Sequence, residues 1–433
     1  MSSPRLLGAG LALGLCLRAL ALPLPGTGDV VIWKVWSFAA SNDLASVYGV
    51  GGSPPERRAL HWRGEAMTVD YPPVALAELS LAGRLYRAWS PLFDDGRLLN
   101  VAVKLPGLVA ELGFLAWILW RGRELVGEAA ASWLALAFWL NPGVLIDGSV
   151  LGYLDMQMAV PLAVAVAAAW RGRAAMAACL LTLAVLTKAQ AVFVAPVVFV
   201  VALRHSSKRL VALLEMAGAG MATAAAAFAP FVARGAWSNM VQALSRLAAH
   251  DMLSAQAANV WWIFTWVLRV LDVRTEWGWW RALTQDVRIL GITRAVDLGY
   301  PNARVVGLVL VTAFTLWGLA TIWRRPSFAV AAATAAWSLY AYAMFAAQVH
   351  ENHLAPAVVL LAPAAAAEPA LRRIFWAVTG VVALNLYLFY GFGDGWPPIV
   401  PRHVTGIDAS VLLAVVSLGV FAWFTRMLAR EPR

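Results

Sequence analysis

The sequence predicts an all-α polytopic membrane protein with about twelve transmembrane helices (ten to thirteen). Only 13% of its 433 residues are charged and 61% are hydrophobic, whereas soluble domains carry roughly 25% charged residues. Long apolar runs recur along the chain, and arginines and lysines collect in every second short loop between them. This alternation is the positive-inside pattern, so the net charge of +10 indicates membrane topology and not nucleic-acid binding.

The first apolar segment, about 6–24, is predicted to be a retained transmembrane helix. A signal peptide is the alternative, because Ala19-Leu20-Ala21 resembles a cleavage site. Arg18, however, interrupts the apolar region very close to that site.

Two long loops are predicted on the outer side of the membrane, 26–97 and 231–302. The first loop contains helical patterns near 29–46 and 74–92, which we expect to form helices on the membrane surface. Long loops are largely exempt from the positive-inside rule, so their arginines are compatible with this position. We expect no separate soluble domain, so that residues 1–433 form a single integral-membrane domain.

The other apolar runs are predicted as spans, several of them shorter than the ~20 residues that a perpendicular helix needs. With the N-terminus in the cytoplasm, every inner turn carries basic residues, whereas the short outer loops carry only Lys188 and Arg402. The predicted spans are 98–120, 126–142, 158–170, 174–187, 190–203, 210–230, 303–323, 327–347, 354–367, 374–391 and 409–425.

Polar residues that topology does not explain gather on the outer side. Acids and amides at membrane depth are costly and usually face a protein interior or a wet cavity. The predicted site is therefore an outer polar cavity beneath the two long loops. Its candidate residues are Asp29, Asp70, Tyr71, Asn141, Asp147, Asp155, Gln157, Lys188, Gln190, Asn259, Gln348, His350, Glu351 and His353.

Several candidates also have an ordinary structural interpretation. Asp29 follows Gly28 and could cap a helix, and Tyr71-Pro72-Pro73 could simply end a loop. Asn141-Pro142 is typical of a helix end. Lys188 could extend to the membrane interface or bind a lipid phosphate as a point charge.

The tryptophans of the second long loop are typical of an interface belt. Alternatively, they form a wall for a prenyl chain or a stacking face for a sugar. These residues are Trp261, Trp262, Trp266, Trp277, Trp279 and Trp280.

The sequence predicts no metal, cofactor or disulfide. In His350-Glu351-Asn352-His353 the histidines are three apart and no third ligand is apparent. A histidine in a membrane cavity is suited instead to hydrogen-bond a phosphate. Cys16 and Cys179 lie inside apolar runs and are expected to act as small apolar fillers.

Six short motifs, taken together and in order, resemble those of the GT-C membrane glycosyltransferases. The likeness is to the endoplasmic-reticulum α-1,3-glucosyltransferases of N-glycan assembly and their prokaryotic relatives, and it spans residues 28 to about 356. Each motif is common by itself, but six in order are specific. They are Gly28-Asp29; Tyr71-Pro72-Pro73; Asn141-Pro142 with Leu145-Ile146-Asp147; Lys188-Ala189-Gln190 with Ala195-Pro196; Ala258-Asn259-Val260-Trp261; and Gln348-Val349-His350-Glu351.

Two departures from the glucosyltransferase pattern leave the sugar and the acceptor open. The His-Gly-His-Phe-Gln pattern after Leu-Ile-Asp is absent, and Gly152-Tyr153-Leu154-Asp155 instead resembles the Trp-Gly-Gln-x-Asp of bacterial polyprenyl-phosphate mannosyltransferases. Asn352 replaces the lysine that follows His-Glu.

The resemblance implies an inverting, metal-independent hexosyltransferase that moves glucose or mannose from a polyprenyl-phosphate donor to a lipid-linked glycan or other extracytoplasmic acceptor. Asp29 is then the catalytic base. The resemblance implies that the donor phosphate is bound by His350, Lys188 and an arginine of the second loop (Arg288, Arg294 or Arg304). Trp261 is expected to bind substrate together with the other candidates. The implied partners are the donor, the acceptor and membrane lipids, and we expect a monomer in a bacterial inner membrane with its site facing the periplasm.

Two other functions remain open from the sequence. The first is a lipid-linked polysaccharide ligase or polymerase of the same GT-C type, with a lipid-diphosphate donor. The second is a transporter or flippase, which would need a charged relay to the inner face. Lys104 and Glu111, seven residues apart in the second span, are the nearest approach to such a relay.

Overall fold

The computed structural model describes residues 4–50, 58–247, 249–271, 287–404 and 407–430, and most of these are helical, with very few in strands. In chain order the helices are α1 (Pro4–Ala21), α2 (Gly28–Asp43), α3 (Pro73–Trp89), α4 (Arg97–Trp117), α5 (Arg123–Val126), α6 (Glu128–Trp139), α7 (Pro142–Val144), α8 (Asp155–Trp170), α9 (Ala174–Thr187), α10 (Ala195–His205), α11 (Arg209–Ala233), α12 (Trp237–Leu247), α13 (Val260–Leu271), α14 (Ile292–Asp297), α15 (Ala303–Arg324), α16 (Phe328–Phe345), α17 (Ala355–Ala367), α18 (Arg372–Tyr390) and α19 (Ala409–Ala429).

The helices that can cross a membrane follow the predicted spans in order. Within the described residues, seven helical segments are long and apolar enough to cross a bilayer, and four shorter apolar helices lie among them. They confirm the predicted all-α polytopic fold. The seven are Arg97–Val126, Glu128–Leu151, Arg209–Ala233, Ala303–Arg324, Phe328–Phe345, Pro369–Tyr390 and Ala409–Ala429, and the four are Asp155–Trp170, Ala174–Thr187, Ala189–His205 and Ala355–Ala367.

Two helix ends differ from the predicted boundaries for local reasons. The second span continues past Arg121 through a π-turn and ends at Gly127, whose φ of 85° is left-handed backbone that favours glycine. The next span also continues past the predicted end at Asn141-Pro142. There Asn141 accepts hydrogen bonds from the next turn, and the chain then forms a wide π-turn, Leu145–Leu151.

The two predicted surface helices are present as α2 and α3, which pack on each other. Ser37 Oγ donates to the carbonyl of Leu79 at 2.8 Å, and a Cβ added to Gly83 would lie 2.5 Å from the carbonyl oxygen of Ser37. The opposite face of α3 exposes Leu81 and Leu85. An apolar face turned away from the protein is typical of a helix in the membrane interface.

Three short strand pairings occur among the described residues, and one of them joins distant parts of the chain. Strands β1 (Leu60–Trp62) and β2 (Glu65–Met67) form a hairpin within the first loop. Strand β3 (Ser254–Ala255), in the second long loop, pairs in parallel with β4 (Val349–His350), which follows α16. The β3–β4 pairing therefore brings the second loop onto the segment that contains His350. The third pair joins β5 (His403–Val404) to β6 (Ile407–Asp408).

The turn after α18 holds the start of α2 through a close backbone approach. Asp394 N donates to the carbonyl of Gly26 at 2.7 Å. A Cβ on Gly393 would lie 2.6 Å from that same carbonyl oxygen. Since Gly26 lies three residues before Asp29, this approach fixes the position of the Asp29 turn.

We expect Gly393→Ala to destabilise the protein by about 1–3 kcal/mol, because Gly393 has a φ of +103° and no room for a methyl group. The measurement is thermal melting in lipid nanodiscs. Gly395→Ala is the matched control, since Gly395 has a φ of +78° but no atom within 4 Å of an added Cβ. Equal losses for the two variants would show that the contact with Gly26 contributes nothing.

Candidate active site

Asp29 lies in the first turn of α2, half-buried, where the charges of Lys188, Asp155 and Asp70 act on it. The helix N-cap is Thr27, so the alternative prediction of Asp29 as an N-cap is wrong. Among the described residues, no side chain or backbone group donates a hydrogen bond to the Asp29 carboxylate. The carboxylate is therefore available to a ligand.

The surroundings of Asp29 make it a stronger base than an ordinary aspartate. Burial raises the pKa of Asp29, the positive charge of Lys188 lowers it, and the negative charges of Asp155 and Asp70 raise it again. The net result is a raised pKa. A carboxylate with a raised pKa is better matched to general-base work near neutral pH.

A buried ion pair, Lys188 with Asp155, lies close enough to Asp29 for both charges to act on it. Lys188 Nζ donates to Asp155 Oδ1 at 2.8 Å, and the two side chains are only 3% and 1% exposed. The other oxygen, Asp155 Oδ2, accepts from Asn352 Nδ2 at 2.7 Å. Asp155 thus joins the start of α8 to the end of α9 and to the turn before α17.

Lys188 is a fixed cation within this network. Burial lowers the pKa of Lys188, but the carboxylate of Asp155 outweighs that effect and keeps the pKa above its usual value. The buried, paired side chain of Lys188 does not extend to the membrane interface, and its binding of a lipid phosphate stays a prediction. Its charge nevertheless reaches Asp29 and His350.

The two histidines of the turn between α16 and α17 have different environments. The His350 side chain is 41% exposed. Burial, with the charges of Lys188 and His250, lowers the pKa of His350 to about 4, so its imidazole is neutral near pH 7. His353 is held on both sides, with Nε2 at 2.7 Å from Gln190 Nε2 and Nδ1 at 3.0 Å from the Tyr342 hydroxyl.

Glu351 lies beside these histidines but is turned toward a tyrosine. The Tyr153 hydroxyl donates to Glu351 Oε1 at 2.5 Å. Burial raises the pKa of Glu351 to about 7, even though the hydrogen bond from Tyr153 lowers it. The backbone of Glu351 is held by α18, because Asn385 Nδ2 donates to the Glu351 carbonyl at 3.4 Å.

Two further predicted residues lie deeper than the cavity. Asp147 is fully buried in the π-turn, and neither carboxylate oxygen has a hydrogen-bond donor among the described residues. The nearest charged groups that act on it include Asp155 and Lys188. Gln157 is 4% exposed, and its Oε1 lies 3.6 Å from the position of a Cβ on Gly107, so it is turned toward α4.

Asp70 and Tyr71 form the wall of the cavity under the first loop. The Tyr71 ring packs edge-on against Trp33, with centroids 5.1 Å apart, and its carbonyl accepts from the Tyr48 hydroxyl at 2.6 Å. Burial raises the pKa of Asp70, against the lowering effect of His250 and Arg246. Asp70 is thus a second half-buried acid, but the basic groups that act on it are His250 and Arg246, whereas Lys188 acts on Asp29.

The predicted residues at the start of α13 face the protein instead of the cavity. Asn259 Nδ2 donates to the carbonyl of Ala343 at 3.1 Å, and Asn259 Oδ1 accepts from Trp262 N at 2.9 Å. Trp261 Nε1 donates to the carbonyl of Phe345 at 2.6 Å. These bonds hold α13 against the end of α16. Trp277, Trp279 and Trp280 of the same cluster lie outside the described residues.

The outer rim of the cavity carries the remaining predicted residues. Gln348 Nε2 and Arg304 Nη2 both donate to the carbonyl of His250, the latter at 2.9 Å. Arg304, at the start of α15, and Arg294, in α14, are both exposed at this surface. The imidazoles of His250 and His350 lie 6.4 Å apart. The rim is therefore basic, directly above His350.

The chain matches the ALG6, ALG8 glycosyltransferase family over residues 104–390, which is more than half of its length. It belongs to this glycosyltransferase family. The predicted kinship with membrane glycosyltransferases is thereby confirmed. A comparison with curated proteins gives no match.

Among solved structures, this family member is similar to the oligosaccharyltransferase of Archaeoglobus fulgidus in its apo form. The sequence identity is 12% and the TM-score is 0.44. The similarity covers 99% of this chain and 56% of that chain.

The range that matches the glycosyltransferase family contains only part of the cavity. Asp155, Lys188 and His350 lie within 104–390, whereas Asp29 and Asp70 precede it. Within the described residues, no group of three or more histidine, cysteine or acidic side chains could hold a metal ion.

Lys104 and Glu111 do not form the charged relay that a transporter of this size would need. Glu111 pairs with Arg18 at 2.6 Å, and both side chains are buried. Lys104 Nζ donates to the carbonyls of Leu24 and Val150 at 2.9 and 2.8 Å. The nearest approach to a relay in the sequence is therefore two separate sets of contacts. Instead, they fasten the first span and the π-turn to α4.

The sequence did not single out several residues that the structure places in the cavity. Tyr153 and Asn352 were noted only as departures from the family pattern, yet they bind Glu351 and Asp155. His250 and Tyr342 had no local signal, because their importance depends on partners far away in the chain.

Proposed function

We propose that this glycosyltransferase moves a hexose, glucose or mannose, from a polyprenyl-phosphate donor to a lipid-linked glycan or another extracytoplasmic acceptor. The observation that carries the proposal is the half-buried Asp29 carboxylate, to which no group of the described residues donates a hydrogen bond. The neighbouring acids differ, since Asp155 is paired with Lys188, Glu351 with Tyr153, and Asp147 is fully buried.

In the proposed reaction Asp29 takes the proton of the acceptor hydroxyl as the oxygen attacks the anomeric carbon. The bond from that carbon to the phosphate oxygen breaks at the same time, and the polyprenyl phosphate leaves with the bonding electron pair. A phosphate is already a stable anion, so no general acid or metal is required. Attack from the face opposite to the leaving group inverts the anomeric carbon.

His350 is the proposed partner of the leaving phosphate. Its exposed imidazole faces the cavity, and a bound phosphate anion would favour its protonated, doubly donating form. Arg304 and Arg294 on the rim add positive charge for donor capture. Lys188 acts at a distance, because its positive charge lowers the pKa of Asp29 while its ammonium group is paired with Asp155.

The other predicted substrate residues divide into two groups. We propose that Asp70, Tyr71, Gln348 and Glu351 line the space for the sugar and the acceptor. The second group positions the first through buried hydrogen bonds or packing; it consists of Asp147, Asp155, Gln157, Gln190, Asn259, Trp261 and His353.

The arginine-rich turns support a site outside the cytoplasm. They lie at the opposite ends of the spans from Asp29 and His350, and the positive-inside rule favours the cytoplasm for such turns. We propose a monomer in a bacterial inner membrane with its site facing the periplasm.

The test of the proposal is transfer from radiolabelled polyprenyl-phosphate glucose and polyprenyl-phosphate mannose by the purified protein, with a chelator present. We expect one of the two donors to be consumed. Turnover of a diphosphate-linked oligosaccharide, with both hexose donors untouched, would show that the protein is a ligase or polymerase.

The raised pKa of Asp29 predicts the acid limb of the pH profile. Only the ionised carboxylate accepts a proton, so kcat/KM falls as the pH drops through the pKa of Asp29. Because that pKa is raised, the fall should be centred above the ~3.9 of an ordinary aspartate. The measurement is the initial rate at low donor concentration across pH, and an acid limb at or below that ordinary value would contradict the assignment.

A further inference from the structure

A groove open to the bilayer lies at the other end of the spans from the polar cavity. It runs between α6, the end of α17 and the start of α18, and it encloses about 670 Å³. Its walls are formed by alanines, leucines and two tryptophans, Trp133 and Trp376. From Ala129 to Leu140 the wall of α6 rises roughly 17 Å, which is about half of a ~30 Å hydrocarbon core.

One cation marks the mouth of this groove. The Arg372 guanidinium lies over the ring of Trp133, 4.5 Å from the ring centroid, and its Nε donates to the carbonyl of Ala365 at 3.3 Å. Among the described residues, no acid lies within ion-pair distance of Arg372. The nearby Glu368 is turned to its own helix end, where Oε1 accepts from Ala370 N. The terminal nitrogens of Arg372 therefore remain available as donors.

We propose that this groove binds one anionic glycerophospholipid of the cytoplasmic leaflet. An acyl chain lies along the alanines of α6, and the lipid phosphate accepts hydrogen bonds from Arg372. Basic pockets between transmembrane helices on the cytoplasmic side are suited to anionic head groups. A planar guanidinium held over an aromatic ring keeps its fork directed at a phosphate.

The position of the groove argues against the polyprenyl donor as its occupant. The donor's head group must reach Asp29 and His350, at the opposite membrane face. The groove, in contrast, lies beside the inner turn 368–372. The bound lipid would instead fill the seam between α6 and α18. Higher in the same seam, the two spans are joined by Asn141 Nδ2, which donates to Thr379 Oγ1 at 2.9 Å.

Native mass spectrometry of the delipidated full-length protein tests this proposal, with phosphatidylglycerol and phosphatidylcholine added in turn. We expect one phosphatidylglycerol to be retained in preference to phosphatidylcholine. Arg372→Gln should lower the affinity for phosphatidylglycerol about tenfold. Arg373→Gln is the matched control, because Arg373 is exposed in the same turn but does not line the groove.

A second variant tests the acyl-chain contact without changing a charge. Ala130→Trp fills the groove from its bilayer side and should remove the retained phosphatidylglycerol while Arg372 stays in place. Melting of each variant without added lipid checks that it is folded. Equal losses in Arg372→Gln and Arg373→Gln would overturn the proposal in favour of diffuse charge attraction. So would retention in Ala130→Trp, or displacement of phosphatidylglycerol by an equal amount of polyprenyl phosphate.

Discussion

Asp29→Asn is expected to lower kcat for hexose transfer by about 10²–10⁴-fold, the usual contribution of a general base. The substitution preserves the size of the side chain but removes its ability to accept the hydroxyl proton. No hydrogen bond to the carboxylate is lost, because none is formed within the described residues. The variant should therefore insert, fold and bind the donor as the unaltered protein does.

Asp70→Asn is the matched control for this change. Asp70 is also a half-buried acid of the first loop, but it faces His250 and Arg246. Its loss should act mainly on KM for the acceptor. The measurements are single-turnover transfer and equilibrium binding of the donor. If Asp29→Asn retained substantial transfer and Asp70→Asn were inactive, the role of general base would be assigned to Asp70 instead.

The second large effect is expected for Lys188→Met, which leaves the buried Asp155 carboxylate without its cation. Removal of one partner of a buried ion pair costs about 3–5 kcal/mol. Thermal melting in nanodiscs should show this loss. Lys208→Met, the same change at an exposed lysine, should melt like the unaltered protein.

The double variant Lys188→Met/Asp155→Asn separates the charge from the packing. It removes both charges and keeps a polar side chain near Asn352, so its loss should be smaller than the sum of the two single losses. In any active Lys188→Met protein, the acid limb of kcat/KM should also move to higher pH, because Lys188 lowers the pKa of Asp29. Additive losses and an unmoved limb would show that the pair is unimportant.

The sequence predicted the spans well because their signals are local. A run of apolar residues between arginine-rich turns needs no knowledge of its partners, and the predicted segment 174–187 coincides with α9. The boundaries that differed depend on backbone geometry, such as the left-handed Gly127 and the π-turn of Leu145–Leu151.

The cavity was predicted as a set of residues but not as a set of contacts. The sequence placed Asp29, Asp155, Lys188 and His350 on one side of the membrane. It did not show that Asp155 forms an ion pair with Lys188, because this pairing depends on how α8 and α9 pack. The same limit applies to Asn352, which is 197 residues from Asp155.

Motifs alone also did not distinguish residues that face the cavity from those that support it. Asn259 and Trp261 match the family pattern as well as His350 does. Their side chains donate to the carbonyls of Ala343 and Phe345, whereas His350 is open to the cavity. All three residues lie near apolar segments in the sequence, so only the fold distinguishes the two bonded side chains from the exposed one.

The anomeric configuration of the product tests the central claim most directly. A single displacement assisted by Asp29 predicts that a polyprenyl-phosphate hexose of one anomeric configuration gives a product of the opposite configuration, in the presence of a chelator. Nuclear magnetic resonance of the purified product measures this. A product with the donor's configuration would require a covalent or front-face mechanism and would contradict the role of Asp29 as the base of an inverting transfer.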